Sequence, residues 1–180
     1  MKRILLACLM CLSLFASVDE AREKLLLQLS GEWVARGLYV VNKLNIADLL
    51  DGGPKTSEEL ARLAGCDEGH LDRLMHMLAS NGIFEEIEPH FYANSEASAL
   101  LSTHHPSRLK SIAQFYGEEV HRSLDALLPC VEKGKTAFNI VYQQPVFPYF
   151  KQNPDRLQLF QSAMREKSKA VIERCFPKIL

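Results

Sequence analysis

Residues 56–93 read TSEELARLAGCDEGHLDRLMHMLASNGIFEEIEPHFYA, and this stretch decides the fold. Thr56 with Glu59 three residues later is a capping box, in which each side chain satisfies the other's free backbone N–H, so a helix starts at Ser57. Gly65 ends that helix after Ala64. Asp67 then caps a second helix, whose Leu71, Leu74, Met75 and Leu78 recur at the spacing of one helical face before Gly82 closes it. Ile83 to Ile87 and Phe91 to Ala93 flank a turn at Glu88-Pro89-His90, the pattern of a hairpin. The layout is a helix-turn-helix followed by a two-stranded wing.

Working outward, a short helix over Ile46 to Leu50, stopped by Gly52-Gly53-Pro54, completes a winged-helix unit over residues 45–93. Before it, Leu26, Leu29, Trp33, Leu38, Val41 and Leu44 form a helical stripe with weak points at Gly31 and Gly37. Trp33, Leu38, Tyr39 and Val41 make more apolar surface than one helix face can hide in a small domain, which points to a partner surface. After the wing, Asn94 and Ser95 cap a helix through Leu101. Further helices are expected over Arg108 to Tyr116 and from about Glu118 to Glu132, the latter bent by Pro129. Residues 134–150 read as irregular and aromatic-rich. Asn153-Pro154 opens a long helix with Leu157, Phe160, Met164, Val171 and Cys175 on one stripe. The expected fold class is mainly α, with the winged-helix unit embedded in a helical domain over residues 19–180 and a second helical region over 106–180.

With 21 basic and 22 acidic side chains the whole chain has no field to draw it to nucleic acid or anionic lipid. Locally the balance is lopsided. Between Asn45 and His105 stand three basic residues, Lys55, Arg62 and Arg73, against eleven acidic ones, a net charge of minus eight. A groove reader must neutralise phosphates with Lys and Arg, yet here the second helix begins Asp67-Glu68 and the wing carries Glu85, Glu86 and Glu88. No nucleic-acid partner is expected.

The residues show no catalytic constellation, cofactor loop or metal site. Gly52-Gly53 precedes Pro54 and reads as a turn. His104 and His105 read as a solvated loop pair, His70 and His76 fall on different helix faces, and Glu118-Glu119 near His121 reads as solvated charge. The five cysteines, at 8, 11, 66, 130 and 175, lack the paired spacing of a zinc site and read as small buried hydrophobes in a reducing compartment. What remains is apolar. Phe147, Phe150, Phe160 and Met164 are candidates for lining a small-molecule pocket, and plain core packing is the simpler reading of them.

Residues 1–18 pose the targeting question. Lys2 and Arg3 precede an apolar run from Ile4 to Ala16 that has the charge and length of a secretory signal and is too short for a stable membrane span. Cleavage after Ala16 or Ser17 leaves Leu14 or Phe15 at the minus-three position, where small residues are wanted. The alternatives are an exported protein, an apolar N-terminal helix packing on a partner, and an over-extended start. A cytoplasmic location is the primary expectation.

Four segments in this order resemble one family. Trp33 to Leu50 (WVARGLYVVNKLNIADLL), Thr56 to Ala61 (TSEELA), Leu71 to Phe84 (LDRLMHMLASNGIF) and Phe160 to Met164 (FQSAM) are similar to the dimerisation domain of S-adenosylmethionine-dependent O-methyltransferases of the caffeate, hydroxyindole and polyketide-tailoring type. The resemblance covers roughly residues 25–176. It implies an intertwined homodimer in which Trp33, Leu38, Tyr39 and Val41 pack on the other subunit. It also implies that 106–180 is a substrate lid, with Phe160 and Met164 facing a small aromatic acceptor. In that family a Rossmann-like domain follows, and its glycine-rich loop, ribose-binding acid and general base have no counterpart in this sequence. The resemblance therefore implies a chain that is not catalytic alone, with S-adenosylmethionine belonging to a catalytic domain outside it. The chain departs from the family at Gln143-Gln144, where glycine is often found. The competing expectation is a stand-alone winged-helix interaction module that binds a partner protein or hydrophobic ligand.

Overall fold

A computed structural model describes the backbone of residues 2–175 and the side chains of residues 19–172, 174 and 175. The signal-like reading of residues 1–18 turns on side chains outside that set. No helix among the described residues is long and apolar enough to cross a membrane.

The chain divides into two compact units, residues 1–35 and 36–180. The first is helical. It belongs to α1 (Lys2–Lys43), and its described apolar side chains Leu25, Leu26, Leu29 and Trp33 stand exposed.

The second unit is mainly helical with one small antiparallel sheet. After the last turns of α1 come α2 (Ile46–Leu50), β1 (Lys55–Thr56), α3 (Ser57–Ala64), α4 (Glu68–Ser80), β2 (Phe84–Glu88), β3 (Phe91–Asn94) and α5 (Glu96–Ala99). The Thr56–Glu59 capping box forms on both sides, Asp67 accepts the His70 N–H at 2.9 Å, and Gly65 closes α3 in the left-handed conformation. Strands β2 and β3 pair from Phe84↔Asn94 to Glu88↔Phe91, with an irregularity between Glu86 and Glu88. The sequence pattern missed a strand: Lys55 and Thr56 pair with Tyr92 and Phe91, giving the order β1-β3-β2. Two residues that end in a helix cap show no alternation, so their pairing is set by the tertiary fold.

Ile46, Leu50, Leu60, Met75, Leu78 and Tyr92 form the centre of this half, each at most 3% exposed. Gly37 has a packing role as well as a helix cost. A Cβ there would meet Met77 Cε at 2.9 Å, so its absence lets α1 approach α4 closely. Val41, expected on a partner-facing surface, is 1% exposed and belongs to the chain's own core.

The rest of the chain is more helical than its sequence suggests. Helix α6 (Lys110–Phe115) runs into a π-helical stretch at Tyr116–Val120, then come α7 (His121–Leu124) and α8 (Leu127–Lys133) where one bent helix was expected. The segment read as irregular holds α9 (Ala137–Tyr142) and α10 (Val146–Gln152). Gln143 and Pro145 sit at the boundary, where they break one helix and start the next, and Pro148 falls in the first turn of α10, where a missing N–H is tolerated. Helix α11 (Pro154–Cys175) opens at Asn153-Pro154 as expected, but its apolar stripe is packed only as far as Met164. Val171 and Cys175 are exposed. Cys66 and Cys130 are only half-buried, so these three cysteines are not the buried hydrophobes expected.

Candidate functional site

Helices α6, α9, α10 and α11 bring six aromatic rings into one connected series. Phe138 stacks on Tyr142 at 4.3 Å, and Tyr149 meets Tyr142 at 4.7 Å and Phe150 at 5.6 Å. Phe150 stacks on Phe160 at 4.8 Å, and Phe115 closes the series edge-on to Phe160 at 5.5 Å. Offset and edge-to-face contacts are the arrangements that ring quadrupoles favour, so the series is a stiff wall. Its centre is Phe115, Phe150 and Ala163, with Phe160 and Met164 packed against them.

Three of the four pocket candidates therefore come together: Phe150, Phe160 and Met164. Phe147 is 72% exposed on α10. Phe150 is 1% exposed and Phe160 half-buried, so Phe150 backs the wall. Met164 also lines a shallow groove along α11 with Arg165, Ser168, Lys169 and Ile172.

A charged cluster flanks the wall. The π-helical stretch turns Glu118 and Glu119 inward, where Arg156 from α11 donates to both, and Glu119 is 3% exposed. Lys43 lies 3.2 Å from Glu118, whose Oε1 also accepts from the Tyr39 hydroxyl at 3.2 Å. Burial pushes the Glu118 pKa up, but Lys43 and Arg156 outweigh it and hold the carboxyl below its ordinary range. Hydrogen bonding to Glu119 raises the Arg156 pKa. Burial, then the Glu119 charge, raises the Tyr142 and Tyr149 hydroxyls. Reading Glu118-Glu119 as solvated charge is thus corrected. A π-helical stretch rotates side chains away from the α-helical face that spacing assigns, and Arg156, 37 residues from Glu119, gives no local sign of being its partner.

Close contacts fix this region further. Glu166 accepts the backbone N–H groups of Ser111 at 2.8 Å and Ile112 at 3.0 Å, capping α6 from α11. The Tyr39 ring lies against Gly117 so tightly that a Cβ there would collide with it. Tyr39, expected to face a partner, is half-buried on its own chain, as is Leu38, while Trp33 is 73% exposed. His104 is exposed, with a ring nitrogen within 4.8 Å of carboxylate oxygens of Asp48 and Asp51, and Lys110 already sits on Asp48.

Residues 26–104 match the O-methyltransferase dimerisation domain. This part of the chain belongs to that family. Over 147 residues the chain is 35% identical to the phenazine O-methyltransferase PhzM of Lysobacter antibioticus, a match covering 82% of this chain and 43% of that protein. It is 31% identical over 160 residues to a phenazine-1-carboxylate N-methyltransferase of Pseudomonas aeruginosa, covering 89% of this chain and 47% of that one. The crystal structure of LaPhzM superposes with a TM-score of 0.81 at 34% identity, over 85% of this chain and 46% of that chain. The chain thus spans about half the length of the curated relatives it matches. Its described residues do not fit S-adenosylmethionine. Their one sheet is antiparallel, and the positive-φ glycines 53, 65, 82 and 134 sit in turns with open space around them, so none forms a nucleoside cradle.

Proposed function

We propose that this chain is the dimerisation and substrate-lid portion of an S-adenosylmethionine-dependent methyltransferase acting on a flat aromatic acceptor. The observation that carries the reading is the ring series from Phe138 to Phe115, standing in a fold that superposes on LaPhzM. A stiff aromatic wall suits the face of a planar ring system, and both relatives are named for phenazines. Phe160 and Met164 are the residues we assign to the acceptor side, with Phe150 behind them and Phe147 at the rim. No methyl-transfer step is assigned to these residues. The donor, and any general base, belong to a catalytic domain of the relatives' kind.

We read α2, α3, α4 and the β2–β3 hairpin as a winged helix that acts as scaffold. Its acidic surface, minus eight over residues 45–105, opposes a phosphate backbone and supports a role without nucleic acid. We assign the partner surface to a second copy of the chain, with exposed Trp33 as its anchor and the half-buried Leu38 beside it in sequence. A cytoplasmic site, where S-adenosylmethionine is available, accords with this role.

Multi-angle light scattering of the full chain at tens of micromolar tests the assembly. Twice the mass of one chain is expected, with Trp33→Glu shifting the population to monomer. A clean monomer for the unaltered chain would overturn the reading in favour of a stand-alone interaction module.

A further inference from the structure

Helix α4 and the β2–β3 hairpin are joined at the surface by two histidine–carboxylate pairs that run in opposite directions. His76 of α4 places Nδ1 2.6 Å from Glu86 Oε2 of β2. One helical turn earlier Asp72 Oδ2 lies 2.9 Å from Nδ1 of His90, in the turn of the hairpin. Each element gives one imidazole and receives one. Tyr92 of β3 links the pairs, donating from its hydroxyl to Asp72 Oδ1 at 2.9 Å with Glu86 Oε1 at 3.5 Å. The His90 backbone N–H donates to Glu86 Oε1 at 3.2 Å. The carboxylates are sheltered, with side chains 19% and 23% exposed, while the His90 and His76 side chains are 69% and 66% exposed and open to protons from solvent.

We propose that the two pairs form a pH-sensitive clasp, holding the hairpin to α4 while His90 is protonated and loosening it as His90 loses its proton. When an imidazolium loses its proton the ion pair with the carboxylate is lost, and a hydrogen bond survives only in the neutral tautomer that keeps its proton on Nδ1. Among the described residues the groove between the elements offers no other cation placed to replace both. The charged and titratable groups facing it are Glu68, Asp72, Arg73 and His76 from α4, and Glu86, Glu88, His90 and Tyr92 from the hairpin. Among these described residues Arg73 is the one permanent cation, against four carboxylates.

The direction of the effect follows from the pairs. The hydrogen bond to Asp72, then its charge, raises the His90 pKa in the folded protein. Its contribution is therefore complete below the unfolded histidine value and lost as pH rises through the folded one. On the acid side, burial opposes ionisation of Asp72 and Glu86, but their bonds to His90 and His76 hold both below the usual carboxylate range. The clasp is closed from that depressed range up to the raised His90 value. Its release on alkalinisation is the change within the neutral range.

The backbone at His90 has φ 66°, a conformation asparagine tolerates, so His90→Asn removes the titration without straining the turn. Amide hydrogen exchange of the full chain, corrected for intrinsic exchange, compares residues 84–94 with α3 between about pH 5.5 and 8, where histidine changes charge. Hairpin opening is expected to rise roughly threefold relative to α3, and to stay flat in the His76→Gln, His90→Asn double variant. A flat profile in the unaltered protein, or the same rise in the double variant, would overturn the clasp. Histidine NMR titration of the unaltered protein gives an independent readout. A raised His90 midpoint supports the clasp, and an ordinary one overturns it.

Discussion

Arg156 of α11 donates to both carboxylate oxygens of Glu119, a side chain 4% exposed, and through the same guanidinium reaches Glu118. The pairing locks α11 to the π-helical stretch behind the aromatic wall. Removing one member of such a pair leaves an uncompensated charge, which costs more than replacing the pair with apolar atoms. Arg156→Met is therefore expected to destabilise the fold by about 3–5 kcal/mol. The triple variant Arg156→Met, Glu118→Gln, Glu119→Leu should recover most of that loss. Urea denaturation of the single and triple variants checks it, and equal losses in both would show that shape, not charge, holds the junction.

Gly117 and Gly37 look alike in the sequence and differ in the structure. At Gly117 a new Cβ would strike the ring and Cβ of Tyr39, a side chain whose hydroxyl is also engaged by Glu118. At Gly37 the nearest atom is the tip of Met77 at 2.9 Å, the end of a flexible side chain that can turn aside. Gly117→Ala should cost about 1–3 kcal/mol by overpacking. Gly37→Ala should cost much less, because alanine's better helix propensity, up to about 1 kcal/mol, offsets the crowding. Thermal melts of the two variants side by side decide the contrast.

The first half of the second unit was legible because its signals are local. Thr56 and Glu59, Asp67 and Gly65 act on atoms a few residues away, so their spacing is enough to place two helices and the hairpin after them. The wall was legible only as composition. Phe150 and Phe160 could be named, but the helices that stack them are short pieces bounded by Pro145 and Gln143, without the periodicity that marks a long helix. Long-range polar pairing left no trace. Arg156 with Glu119 and Glu166 with Ser111 join residues tens of positions apart, and neither partner differs locally from a solvated charge. The same limit applies to Val41. A helix stripe shows that it is apolar-facing, but not that this chain itself covers it.

The acid limit of stability should be set by carboxylates that tie distant segments together. Asp48 of α2 accepts the Thr103 N–H at 2.6 Å and pairs with Lys110, whose ammonium also reaches Asn45 at 2.8 Å and Thr103 at 2.9 Å. Burial works against its ionisation, but the bonds from Lys110 and Thr103 outweigh that and hold Asp48 below its ordinary pKa. Glu118 is depressed in the same way by Lys43 and Arg156. A carboxylate whose folded pKa is lowered adds stability that is present above its unfolded value, about 4 for these side chains, and is lost as pH falls through the folded value. The melting temperature should therefore fall steadily below about pH 4.5, before any bulk charge effect. Asp48→Asn should melt lower than the unaltered protein at neutral pH and show a shallower decline on acidification, because one of the groups that must be protonated is already gone. Calorimetric melts in steps from neutral pH to about pH 3.5 measure both slopes, and parallel curves for the two proteins would assign the acid limit to other carboxylates.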